Sequence, residues 1–196
     1  MIENVPEFTD WVLYPAWLQA VQALGYQAAP HIVDCADLGV PQHRVRLFMV
    51  LTRSKAPLML QLPQERHVPA SSFLDFDAGR WSQIEKQGRA QATLGRVHNG
   101  RQRFGDRFIM PYYGKGSGTT GRDINRPIGT ITTLDRWALV DGDRMRMPSA
   151  SEALDAMSFP ADTLCPKSHP LTMHMAGNAV PPKAGQKIIE ALMQTV

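Results

Sequence analysis

The run from Gly39 to Leu51 constrains this 196-residue chain more than any other stretch. Pro41 has no N–H to give a sheet ladder, so a strand is expected after it, over Gln42 to Leu51. Period-two alternation sends Arg44 and Arg46 to one face, Val45 and Leu47 to the other. From Leu47 the alternation stops, and Leu47-Phe48-Met49-Val50-Leu51 is apolar on both faces, as in a strand covered on both sides. Such a strand needs a layer above and below it, which favours an α/β protein with two fixed cations at one end of a buried strand. On these residues alone, an edge strand with two solvated arginines stays open.

Other elements follow along the chain. Pro15 suits the first turn of a helix in which Trp17, Leu18, Val21 and Leu24 recur at helical spacing, Gly25 suits a left-handed end, and the aromatics read as core. A strand is expected from Tyr26 to Asp34, and Pro57, Pro63 and Pro69 punctuate a linker from Ala56 to about Asp77. The β-branched stretch from Arg126 to Val140 reads as two short strands. Ser149-Ala150-Ser151-Glu152 is a capping box, opening a short helix that stops by Phe159-Pro160. His169 and His174 are expected in a loop, in structural roles. Gly177-Asn178 reads as a turn into a last helix, begun by Pro181-Pro182, with Ala184, Ile188, Ile189 and Leu192 on its apolar side.

Charge narrows the class of partner. Between Arg80 and Arg126 ten Lys/Arg face three acids, a net +7, although the whole chain carries only +3. Arg96, Arg101, Arg103, Arg107, Lys115 and Arg122 lie there among aromatic residues and glycines, a pattern suited to phosphates and guanine edges, so double-stranded DNA is the expected partner. A solvated arginine-rich surface is the competing reading. No apolar run reaches the roughly 20 residues of a membrane span, and the reading is of a cytoplasmic protein with no membrane partner. Cys35 and Cys165 are too few for a disulfide framework, and no Cys/His spacing suggests a metal.

Four stretches, in order, resemble signature motifs of the DNA (cytosine-5) methyltransferases. Glu3-Asn4-Val5 is similar to the sixth, Gln42-x-Arg44-x-Arg46 to the eighth, Arg146 through Glu152 to Phe159-Pro160 to the ninth, and Gly177-Asn178-Ala179-Val180-Pro181-Pro182 to the tenth. The resemblance implies an α/β fold: a partial, Rossmann-like S-adenosylmethionine-dependent methyltransferase sheet over residues 1–60, completed by 176–196, with an irregular β-rich target-recognition domain inserted over 61–175. It implies that Glu3 hydrogen-bonds the flipped cytosine at N3 and its amino group, making C6 electrophilic. Arg44 and Arg46 would complete the catalytic set, Arg46 at the base and Arg44 in the scaffold, with Asn178 and Ala179 at the edge of S-adenosyl-L-methionine.

The resembled reaction also needs a cysteine nucleophile and a cofactor loop, yet no Pro-Cys-Gln and no Phe-x-Gly-x-Gly occurs in these residues. The expectation is the C-terminal half of such an enzyme, cut just before the sixth motif and using the cofactor only with the missing N-terminal half. It would be either a subunit pairing with an N-terminal methyltransferase subunit or a truncated remnant. The alternative is a non-catalytic DNA-binding module.

Overall fold

The computed structural model describes residues 1–112 and 118–195, so Lys115 lies outside the described residues. Strands β1 (Ile2–Asn4), β2 (Gln27–Asp34) and β3 (Val45–Thr52) form an antiparallel sheet in the order β1-β3-β2. Leu47, Phe48, Met49 and Val50 are all buried in the central strand, as their two-sided apolarity demands. Register sets Glu3 opposite Phe48 and His31 opposite the same residue.

The helices of the described residues are α1 (Tyr14–Ala23), α2 (Gln91–Phe104), α3 (Ala150–Ala156), α4 (His169–Asn178) and α5 (Pro182–Thr195). Ala184, Ile188 and Ala191 of α5 pack on Ala29, Val33, Phe48 and Val50, closing one core over this sheet. Helix α1 carries Pro15 in its first turn and is followed by Gly25 at φ +85°, where a left-handed residue is needed. It buries no residue fully. Its Tyr14 and Trp17 instead join Phe8 and Trp11 in a half-exposed aromatic cluster, with Phe8 edge-on to Trp17 at 5.2 Å, so these rings are not core.

A second antiparallel sheet runs β4-β7-β6-β5, from β4 (Ser82–Gln83), β5 (Arg107–Pro111), β6 (Trp137–Asp141) and β7 (Arg144–Arg146). One face packs Phe108, Met110, Ala138, Val140 and Met145 with Val97 of α2. The other packs Ile109, Trp137 and Leu139 with Ile128, Ile131, Ala153, Met157, Met173 and Ala176.

Several local expectations are corrected. The arginine strand begins at Val45, and Arg44 precedes it, held by its N–H to Asp34 Oδ1 at 2.9 Å. Residues 56–77 are irregular but no free linker: Leu58, Leu60 and Leu62 pack in the α5 core, while Ala70 and Leu74 enter the next. Of the two strands expected from Arg126 to Val140, only β6 forms; Ile128 instead makes a parallel bridge to Gln42. His169 and His174 lie on α4, not in a loop. Gly177-Asn178 is the end of that helix, not a turn, and Gly177 is required because a Cβ there would strike the backbone of Thr132 and Thr133.

Candidate functional site

The bridge between Gln42 and Ile128 brings the end of the first sheet against the segment leading into β6. His43 N–H donates to Ile128 O at 2.8 Å, Ile128 N–H to Pro41 O at 3.0 Å, and Thr130 Oγ1 to His43 O at 2.9 Å. Gln42 is fully buried there: its Nε2 donates to Ala156 O and its Oε1 accepts from Ile131 N–H.

Adjacent strands put Glu3 and Arg46 together. Glu3 Oε1 lies 3.2 Å from Arg46 Nε, and Arg46 Nη1 donates to Val45 O at 2.7 Å. No side-chain hydrogen bond of Glu3 beyond this pair occurs among the described residues, which leaves its second oxygen to meet a donor. Arg46 lines a cavity of about 420 Å³ with Val5, Pro6, His43, Arg122 and Trp137.

Arg44 does something different. It is 2% exposed, and its guanidinium donates to Ile131 O, Gly177 O and Ala179 O at 2.9–3.0 Å. Burial and, second, the neighbouring Arg46 lower its pKa to about 10, which leaves it cationic at neutral pH. The two arginines, read from sequence as a pair, thus separate into one lining the cavity and one clamped among carbonyls.

A second cavity, of about 410 Å³, shares His43 and Arg122 with the first and is lined further by Arg103, Phe104, Asp123 and Arg126. Of the expected DNA-contacting arginines, the structure brings only Arg103 and Arg122 to it. Arg101 is bound to Asp143 at 2.7 Å and to Gly142 O, and Arg107 to Asp141 at 2.7 Å. Arg96 donates to Gly118 O and spans α2 to the loop before β6. His43 and Arg126 were missed. His43 lay unremarked inside the motif, and only the bridge to Ile128 carries Arg126 to the cavity.

The remaining groups are quickly placed. Cys35 is fully buried, and burial pushes its thiol up to about 12, so it is no thiolate nucleophile at neutral pH. Asn178 is exposed with its amide 3.4 Å from His174, and Ala179 O is already engaged by Arg44. One exposed amide and one occupied carbonyl do not by themselves fit a nucleoside sulfonium. Among the described residues no His/Cys/Asp/Glu group could hold a metal, and no helix is long and apolar enough to cross a membrane.

The fold is that of known methyltransferases. It superposes on the methyltransferase EhMeth of Entamoeba histolytica with TM-score 0.63 at 15% identity, over 98% of this chain and 61% of that one. On a DNA modification methyltransferase encoded within a prophage (E. coli) the TM-score is 0.61 at 16% identity, over 98% and 68%. In sequence the chain is 30% identical over 92 residues to the type II methylase M.HgiDII of Herpetosiphon aurantiacus, covering 41% of this chain and only 25% of that protein. A family model for C-5 cytosine-specific DNA methylases matches residues 1–194. The chain therefore belongs to the C-5 cytosine-specific DNA methylase family.

Proposed function

We propose that this chain is the C-terminal part of a DNA cytosine-5 methyltransferase, supplying target recognition and one wall of the cytosine pocket. The family draws its methyl group from S-adenosylmethionine; an N-terminal half would bring the cofactor loop and the cysteine. The observation that carries this reading is the Glu3–Arg46 pair, whose Arg46 lines a cavity that shares His43 and Arg122 with a second one lined by three arginines. A carboxylate steadied by a guanidinium can hydrogen-bond the N3 and amino edge of a flipped cytosine and draw electrons from C6. Arg46 would orient that carboxylate and offer a donor to O2 of the base, while Arg44 holds the backbone around it. Residues 61–175 would then form the target-recognition domain, with the rest belonging to the catalytic lobe.

The test has two parts. Duplex DNA should bind the chain with log affinity falling linearly in log salt, by about 0.9 per phosphate neutralised; a slope near zero removes DNA as the partner. Methyl transfer from labelled S-adenosylmethionine to DNA should be absent for the chain alone. It should appear when an N-terminal half of the family, carrying Pro-Cys-Gln and the cofactor loop, is added. Glu3→Gln and Arg46→Ala should abolish that activity without preventing assembly. Methylation by the chain alone, or rescue indifferent to Glu3→Gln, overturns the assignment.

A further inference from the structure

Two arginines of these cavities lie over aromatic rings, Arg103 over the half-buried Phe104 at 5.4 Å and Arg122 over Trp137, and only Arg122 is seated on a buried ring. Its backbone N–H donates to Ile109 O at 2.6 Å and its carbonyl accepts from Ile109 N–H at 3.1 Å, so its Cα is fixed to the edge of β5. Its guanidinium lies 5.0 Å over the ring of Trp137, itself almost fully buried. Gly129 lies beneath: a Cβ there would collide with the Trp137 ring and press on Arg122 Nη1, so the absence of a side chain leaves room for the stack. The side chain is exposed and lines both cavities.

Arg122 has no ion pair among the described residues. Glu7 and Asp123 line the same cavities, but neither lies within salt-bridge distance of it, and Asp123 Oδ1 is turned to Asn125 N–H at 2.8 Å. Arg101, Arg107 and Arg144, by contrast, are neutralised by Asp143 and Asp141. A planar, fixed fork without a counter-charge suits a planar partner offering two acceptors, whereas a phosphate is served as well by a mobile cation. In the major groove that partner is guanine, through O6 and N7.

Resting on the DNA reading above, we propose that Arg122 is a base-reading residue that selects a guanine next to the target cytosine, while Arg126, exposed and without a stacking partner among the described residues, serves the phosphates. Trp137 and Gly129 are then positioning residues that pre-set the fork.

The test is selection of bound duplexes from a pool randomised around a single cytosine, using the full chain, followed by binding titrations against salt. The unmutated chain should enrich guanine at one flanking position. Arg122→Lys keeps the charge over Trp137 but loses the fork. It should erase that enrichment, a roughly ten- to hundredfold loss of discrimination, with the salt slope unchanged. Arg126→Ala should lower the slope by about 0.9 and keep the guanine. Binding with no flanking preference in the unmutated chain, or guanine enrichment surviving Arg122→Lys, overturns the proposal while leaving DNA as partner. Absence of salt-dependent binding by the unmutated chain overturns the DNA reading, and this proposal with it.

Discussion

Arg44 ties together three segments that are far apart in sequence, and its burial makes it a structural cation. Ile131, Gly177 and Ala179 each give it a carbonyl, and replacing it by alanine would strand all three. Each unsatisfied buried carbonyl costs about 1–3 kcal/mol, so Arg44→Ala should lose about 3–5 kcal/mol of stability in urea titrations after partial rehydration. Arg44→Lys should recover little, because a single ammonium cannot span the three acceptors. Arg46 and Glu3 keep 15% and 24% of their side chains exposed, and Arg46 holds one carboxylate and one carbonyl, that of its neighbour Val45, where Arg44 spans three distant carbonyls. Arg46→Ala should therefore destabilise less than Arg44→Ala while weakening whatever Glu3 binds. Equal destabilisation by both changes would collapse the distinction between scaffold and site. The period-two reading could not make this distinction. It treated Arg44 as part of the strand, whereas Asp34 Oδ1 captures its N–H before the ladder begins.

At the scale of elements, the start of α3 shows how a local signal gathers distant partners. Ser149 Oγ accepts from Glu152 N–H, and Glu152 Oε2 accepts from Ser149 N–H, which completes the capping box. The same carboxylate takes both Arg146 nitrogens at 2.7 Å and the Asp75 N–H at 2.8 Å. Burial alone would raise the Glu152 carboxyl, but these donors together hold it below its ordinary 4.5. A carboxyl lowered in the folded state contributes stability that is present above about 4.5 and drains away as pH falls through the lower folded value. The melting temperature should accordingly drop on acidification below about 4.5, more steeply than in Glu152→Gln. At neutral pH, Glu152→Ala should cost about 3–5 kcal/mol, because Arg146 would be left buried and uncompensated. Parallel melting curves against pH for the two proteins would contradict this.

The box was legible because its four residues are neighbours. Helix α2 was not, because Gly95 and Gly100 weaken its pattern, and the reason for Gly100 is remote: the Phe108 ring occupies the place of its Cβ. Helix α4 was hidden similarly. Its Gly177 looked like a turn, and only the approach of the Thr132–Thr133 backbone explains it. For the site, the motif spacings brought Glu3 and Arg46 to attention, but ion pairs with Asp141 and Asp143 removed Arg107 and Arg101 from the cavity. Such pairings depend on sheet register and leave no mark on local composition.

For the whole molecule, the apolar surface around α1 has to be reconciled with a stable solution state. Val12 is 85% exposed and Leu13 54%, between Trp11 and Tyr14 of the aromatic cluster in the chain, and Leu24, just after α1, is 70% exposed. Strand β1 is three residues long and forms an edge of its sheet, so backbone groups are open beside this surface. Exposed apolar side chains that gather into a patch drive association in water. The chain spans 61% of one structure it superposes on and 68% of another, and on the function proposed above the N-terminal half of the enzyme would be the occupant of this face. In its absence, light scattering should find concentration-dependent self-association, reduced by Val12→Asp with Leu13→Lys at unchanged melting temperature, since neither side chain is buried. Adding the N-terminal half should displace self-association in favour of a heterodimer, and the paired substitutions should weaken that heterodimer as well. A monomer at all concentrations, indifferent to both substitutions and to the added half, would mean that the exposed face has no partner and that the cytosine pocket is assembled in some other way.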